Sequence, residues 1–434
     1  MFEILTWAYK FIFVPLVLGY AILAYFSYFK NSFLKRFLPV LIVMLAASAF
    51  ALISLNLEPI DYNAVYIGGL FIASYLLLRH LLKRLAKLED FLLFDNVNFL
   101  LIIGLIMLYR LNPEYAIRQF AFIAIGYAVL FCITILNKES EISEKSYILT
   151  GAVILLLLLT TQVFGTQING SKNWIKIFSF YFQPSELLKI LFVFFIACLL
   201  NKNLNLKRFI CISAAVLTVV SFFALQKDLG SALIFFTVYL IMLAIRDEKL
   251  IYTGISVFIA VLGAIGSYIT FSHIRSRVLA WTNPWKYVSG KSYQITQSLF
   301  AIASGGLLGA GLYGGNPNFI PEIHNDFIFS AICEEMGILC AISLLSIYAL
   351  VIIIGMDIGI KCNNRINAMV ALGLTSVTAV QTLVIIGGVL NLIPITGVTL
   401  PFISSGGSSL ISQFINIGLL YFISRKEKGE SNEQ

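Results

Sequence analysis

Residues Pro321 to Gly355 read PEIHNDFIFSAICEEMGILCAISLLSIYALVIIIG. From Phe327 onward the run is apolar and long enough to cross about 30 Å of hydrocarbon as a helix. It does not alternate apolar and polar residues as a barrel strand would, so the helix is the spanning form that satisfies its backbone. Yet the run opens on His324 and Asp326 and carries Glu334 and Glu335 within it. An ionised carboxylate near a bilayer centre costs about 3 kcal/mol on insertion scales. Such acids usually face an interior cavity and mark function.

The rest of the chain has the same character. Its 434 residues are 59% hydrophobic and 12% charged, with mean hydropathy +0.91. Soluble domains carry roughly 25% charge. This composition excludes a globular enzyme with a single anchor and points to a polytopic all-α membrane protein. Apolar runs occur near residues 11–29, 37–56, 64–80, 97–111, 117–136, 146–164, 185–200, 208–225, 229–245, 250–272, 327–355, 366–390 and 408–424, about 13 helices in all. The opening segment has no basic region and no small-residue cleavage site after its apolar run, so it reads as a retained span. The six cysteines (132, 198, 211, 333, 340 and 362) form no close CxxC or Cys/His spacing and read as small buried hydrophobes.

Charge sets the orientation. The net charge of +8 reports cytoplasmic loops and not nucleic-acid binding. Lys30, Lys35 and Arg36 follow the first run, Arg84 and Lys87 the third, and Lys202, Lys207 and Arg208 the seventh. Arg246 with Lys249, Lys361 with Arg365, and Arg425 with Lys426 and Lys428 continue the alternation. Residues 56–63 and 391–407 carry no basic residue. The positive-inside rule then places the N-terminus outside and the C-terminus in the cytoplasm. The longest segment between spans, 273–325, falls outside and carries Trp281, Trp285, Tyr287, Tyr293 and the run GGLLGAGLYGG at 305–315. A long loop of this kind is expected to be functional. Its piece SLFAIASGGLLGAGL is too short to span and is expected to dip in or lie at the interface.

Four constellations carry polar chemistry, all on the outer side. Asp326 lies at the outer start of a span, where an acid is also favoured simply as a cap against the helix dipole. Glu334 and Glu335 are adjacent and point in different directions, so at most one faces Asp326's cavity and the other pairs with a cation or a backbone donor. The second is GSKNWIKIFSFYFQPSELLKI, 170–190: Lys172, Trp174 and Lys176 lie in a loop, Pro184 starts a helix, and Glu186 and Lys189 share one face. That pair reads equally as a neutralised structural pair or as part of an anion site. The third is ALQKDLGSALIF, 224–235, where Lys227 and Asp228 form either a polar hairpin tip or an interrupted helix at a ligand site. The fourth, IPITGVTLPFISSGGSSL at 393–410, has Pro394, Pro401 and paired glycines that exclude a regular helix, together with Ser404 and Ser405. Irregular polar backbone at membrane depth lines a cavity or is an interface loop. The sequence has no P-loop, HExxH or nucleophile elbow, so internal nucleotide hydrolysis is not indicated.

The stretches GSKNWI, FQPSELLKI, QKDLGSALI, RVLAWTNPW, YQITQSLFAIASGGLLGAGL, IPEIHNDFIFSAICEEMG and IPITGVTLPFISSGGSSL occur in this order. Together they resemble the SEDS family (shape, elongation, division and sporulation; the FtsW/RodA/SpoVE group). The resemblance divides the chain into an N-terminal extension of about three helices (1–90), a SEDS-like ten-helix core (91–425) and a cytoplasmic tail (426–434). It implies a peptidoglycan glycosyltransferase that polymerises lipid II, the undecaprenyl-pyrophosphate-linked disaccharide peptide, outside the bacterial cytoplasmic membrane. A class B penicillin-binding protein transpeptidase is the implied partner. Asp326 matches the family's catalytic acid, and Glu186 and Lys189 match further functional positions. Lys172, Trp174, Lys176, Lys227, Asp228, His324, Glu335, Ser404 and Ser405 complete the candidate substrate-binding set, and a divalent cation could share the neutralisation of pyrophosphate.

The chain departs from the family pattern at Asn173, where Arg is common, at Lys227 within QKDLG, at YGGNPN (313–318), which lacks a Lys, and at Cys340. A lipid II flippase and a non-catalytic scaffold for a penicillin-binding protein are the rival readings.

Overall fold

The computed structural model describes residues 2–30, 32–56, 60–135, 146–168, 170–177 and 180–431. Three long helices come first, α1 (Phe2–Phe29), α2 (Leu38–Asn56) and α3 (Tyr62–Arg84). Seven follow: α4 (Leu92–Leu111), α5 (Pro113–Ile135), α6 (Ser146–Phe164), α7 (Pro184–Leu200), α8 (Leu206–Leu225), α9 (Leu229–Arg246) and α10 (Ile251–Thr270). The long outer segment contains two shorter helices, α11 (Ser272–Thr282) and α12 (Tyr293–Gly305). The chain closes with α13 (Ile328–Ile360), α14 (Arg365–Val389) and α15 (Gly407–Ser431).

Among the described residues, twelve helices are long and apolar enough to cross a membrane. The thirteenth expected run is α7, which has 17 residues and reaches only about 26 Å. Pro184 starts it late, because the chain above is taken up by strands. The segment expected as a plain loop there is a small antiparallel sheet of β1 (Thr166–Ile168), β2 (Ser171–Ile177) and β3 (Phe180–Phe182), in that order.

Helix α4 lies at the centre and is buried along nearly its whole length, including Asp95, Asn96 and Asn98. Such polar groups survive inside a bundle only when paired. The first three helices supply partners for Asp95 and Asn96, while Asn98 accepts from the Tyr127 hydroxyl on α5. Tyr20 donates to Asn96 Oδ1 at 3.0 Å, Tyr75 donates to Asp95 Oδ1 at 2.7 Å, and Arg79 forms an ion pair with Asp95. Tyr25 donates to the Ser346 carbonyl on α13 at 2.9 Å. Helix α1 therefore packs on α13, α2 on α4, and α3 on α5.

Helix α13 is broken at Gly337, whose φ of 80° and ψ of 169° are not helical. The loop after α12 occupies the break. Ala310 N donates to Glu334 O at 2.8 Å, Gly311 N to Glu335 O at 3.0 Å, and Ile338 N to Gly306 O at 3.0 Å. The orphan groups of two half-helices are thus satisfied by an extended segment, as buried backbone requires. A Cβ on Gly337 would run into the Gly309 backbone, so only glycine fits. The piece expected to be too short to span is therefore a helix and a loop packed against α13.

Candidate active site

At the outer ends of the helices lies a cavity of about 690 Å³, within the range that holds small-molecule ligands. Its lining comes from the small sheet, the first two turns of α7, the start of α9, helix α11 with the start of α12, the turn before α13, and the irregular segment leading into α15.

Asp326 stands at the last residue but one before α13. The turn that carries it is stitched to the irregular segment: Ser404 Oγ donates to Asn325 O at 2.5 Å, and Ser405 N donates to His324 O at 3.0 Å. Ser404 Oγ also accepts from Leu400 N at 2.9 Å, and Gln119 Nε2 donates to Ser404 O at 3.2 Å. His324 stacks on the Tyr115 ring at 4.3 Å between centroids, outside the cavity lining. These contacts hold the backbone while leaving the Asp326 carboxylate facing the cavity, with no hydrogen-bond partner among the described residues. Burial, with a further push from Glu322, raises the Asp326 carboxyl to about 7, and the Arg277 guanidinium opposes the rise.

Glu186 and Lys189 are both buried and form an ion pair of 2.8 Å. Pro184 at the helix start and Glu186 in the first turn suit the positive end of the α7 dipole. Asp228 caps α9 through Ser231 N at 3.0 Å, and its other oxygen accepts from Asn173 Nδ2 at 2.7 Å. Cap and cavity wall are therefore one residue here. Asn173, where the resembled family often has Arg, ties β2 to this cap.

The structure gathers Trp174, Glu186, Lys189, Asp228, Asp326 and Ser405 around the cavity. It does not bring the other candidates into the lining. Lys172 donates to the Gln162 carbonyl at 2.7 Å, and Lys176 and Lys227 are exposed outside the lining. Ser404 sits behind the wall, pinning the Asp326 turn. Glu335 is buried elsewhere, in an ion pair of 2.8 Å with Arg110. Arg110 also lies over the Tyr313 ring at 4.4 Å and donates to Gly315 O at 3.2 Å. Glu334 accepts from Asn316 N at 2.8 Å. The expectation that at most one of the two glutamates shares Asp326's cavity resolves to neither.

Two cations in the lining escaped the sequence reading as site residues, Arg277 and Lys291. Arg277, on α11, donates to the Ile395 and Thr396 carbonyls at 3.2 and 3.3 Å. It sits in the fields of Asp326 and Asp228, and burial lowers its proton affinity against their pull. Its only sequence signal was its place in the RVLAWTNPW stretch. Lys291 is exposed at the rim, and no local pattern marked it. Among the described residues no group of three or more His, Cys, Asp or Glu is assembled to hold a metal ion.

Comparison with known proteins agrees with this architecture. The FtsW/RodA/SpoVE family model, described as "Cell cycle protein", matches residues 91–429. The chain is 32% identical over 372 residues to the peptidoglycan glycosyltransferase RodA of Mycobacterium tuberculosis, covering 79% of each protein. It is 30% identical over 354 residues to the stage V sporulation protein E of Bacillus subtilis, covering 77% of this chain and 97% of that one. A solved chain from work on the structural coordination of polymerization and crosslinking by a peptidoglycan synthase complex superposes with TM-score 0.68 at 25% identity, over 78% of this chain and 98% of that one. The chain belongs to the FtsW/RodA/SpoVE family, as a multi-pass protein of the bacterial cytoplasmic membrane.

Proposed function

We propose that the protein is a peptidoglycan glycosyltransferase whose outer cavity joins lipid II units into glycan strands, with Asp326 as the general base. One observation carries the reading. A carboxylate with no hydrogen-bond partner among the described residues is held in a recess whose other walls present Arg277, Lys189 and Lys291. In the reaction an acceptor sugar hydroxyl forms a bond to the donor's anomeric carbon, and the bond from that carbon to the pyrophosphate breaks. The hydroxyl proton passes to Asp326, and the negative charge departs on the lipid pyrophosphate. A base titrating near the working pH suits the first task. Cations preset around the leaving phosphates suit the second, because they stabilise charge that grows toward the transition state. Arg277 is held by two carbonyls in the wall and can fork onto phosphate oxygens.

Arg277, Lys189 and Lys291 in the lining are placed to neutralise the departing pyrophosphate, a task that a divalent cation could share. Residues 1–90 act as an accessory unit that seals α4, residues 91–425 form the catalytic core, and 426–434 form a cytoplasmic tail. By analogy with the complex that pairs polymerization with crosslinking, a class B penicillin-binding protein is the partner. The flippase reading has less support, because Glu186, Lys189, Asp228, Arg277 and Asp326 all lie at outer helix ends or in the outer segment.

The test is polymerisation of labelled lipid II by the purified protein with its cognate penicillin-binding protein. Strands from the wild type and none from Asp326→Asn are expected. Equal strands from both would remove Asp326 from the chemistry.

A further inference from the structure

Behind the cavity wall lies a polar side chain that belongs to neither the motifs nor the lining. Gln381, on α14, is fully buried. Its Oε1 accepts from Lys189 Nζ at 2.8 Å, and its Nε2 donates to the Thr399 carbonyl at 2.9 Å. Gln413 Nε2, from α15, approaches the same Oε1 at 3.4 Å. Lys189 and Thr399 both line the cavity. One amide therefore joins the cation of α7 to the irregular wall before α15, with α15 itself bracing the amide from behind.

The donor inventory makes this arrangement specific. A lysine ammonium has three donors and no acceptor. Gln381 takes one of them at 2.8 Å, Glu186 Oε2 lies 2.8 Å away as an ion-pair partner outside hydrogen-bond geometry, and the ammonium keeps donors for the cavity. The Gln381 amide is held in one orientation, because flipping it would place a donor against the ammonium and an acceptor against the Thr399 carbonyl. Without that acceptor, Lys189 would be held by Glu186 alone and would be free to turn.

We propose that Gln381 is the positioning residue of the Glu186–Lys189 pair, aiming the Lys189 ammonium at the cavity and locking the Thr399 wall to it. The proposal rests on the cavity being the polymerisation site. Gln381 touches no substrate and acts only through Lys189 and Thr399.

The test uses the full chain with its penicillin-binding partner and labelled lipid II. Gln381→Leu keeps the bulk and removes both hydrogen bonds. Its kcat is expected to fall by about tenfold or more with little change in KM, because misaiming one charge costs the transition state more than the bound substrate. Lys189→Ala is expected to lose at least as much, and the double variant no more than Lys189→Ala alone. Gln381→Glu keeps the acceptor toward Lys189 and is expected to retain more turnover than Gln381→Leu. Multiplying losses in the double variant, or wild-type turnover in Gln381→Leu, would overturn the proposal. A second measurement needs no lipid II: labelling of Lys189 by an amine-reactive ester, read by mass spectrometry on wild type and on Gln381→Leu. Faster labelling in the variant is expected, and an unchanged rate would overturn the proposal. A wild type that makes no strands would sink the polymerase reading alone, since the labelling rate still decides the position of Lys189.

Discussion

Asp326 and Glu335 lie nine positions apart on the same arm of the chain, both as carboxylates at the outer end of α13. Glu335 is fully buried and closed off by Arg110, which in turn is gripped by Tyr313 and Gly315. Asp326 is half-buried, opens onto the cavity and has no partner among the described residues. The first carboxylate holds a loop against a broken helix. The second is left free to react. An acid in an apolar segment thus signals function only when its surroundings leave it unspent, and the two cases are separated by their neighbours and not by their type.

That contrast can be broken most sharply at Asp326. Replacing it with Asn should lower strand formation by about 10²- to 10⁴-fold, the usual reach of general base catalysis. Its melting temperature should hold or rise, because a half-buried carboxylate with no hydrogen-bond partner among the described residues is removed. A melting point well below wild type would make Asp326 structural after all.

Arg110→Met should do the reverse, destabilising the fold by about 3–5 kcal/mol through an uncompensated Glu335. Adding Glu335→Leu should recover much of that loss, as seen by thermal unfolding in detergent. If the double variant melts no higher than Arg110→Met, the ion pair is not what holds the loop.

Gly337→Ala places a Cβ against the Gly309 backbone at positive φ. A cost of about 1–3 kcal/mol or more is expected, together with reduced turnover as the Asp326 turn shifts. Unchanged melting and turnover would show that the break in α13 is not rigid.

The pH profile sharpens the comparison further. Asp326 must be ionised to accept a proton, and its carboxyl is pushed up to about 7. Activity should therefore rise with pH through about 7 and fall roughly tenfold per unit below it. A rising limb near the ordinary carboxylate value would place the base elsewhere.

The smallest effect is expected at Tyr109→Phe, which removes a hydrogen bond of 2.5 Å to Asp61 at the start of α3. A loss of about 1 kcal/mol in stability and none in turnover is expected. A large loss of turnover would tie the first three helices directly to the chemistry.

Much of this was legible before the structure. Long apolar runs announced the helices, because hydrocarbon allows few other solutions. Pro184 and Pro394 marked where helices start or fail. The spacing of Glu186 and Lys189 put both on one face of a helix, and the ion pair is there. The cations were read less well. Lys172 and Lys227 stood out because they sit beside conspicuous motifs, yet one is spent on a carbonyl and the other is exposed outside the lining. Arg277 and Lys291 sat unremarked in a long outer segment, because nothing local says which way such a segment folds back. Gln381 was invisible inside an apolar run, since an amide there reads equally as any satisfied core polar group.

What the sequence determined by itself was periodic or ordered along the chain: run lengths, helix punctuation, and a succession of motifs that placed residues 91–429 in one family. Those follow from local rules, since a span must be long and apolar wherever it lies. Only the tertiary structure decided which charges meet. The loop of α12 enters the break at Gly337, Arg110 reaches Glu335, and α14 brings Gln381 behind Lys189. Each is a contact between segments far apart in sequence, and in a low-dielectric interior it is the partner brought by the fold that determines whether a charge is neutralised or left to act.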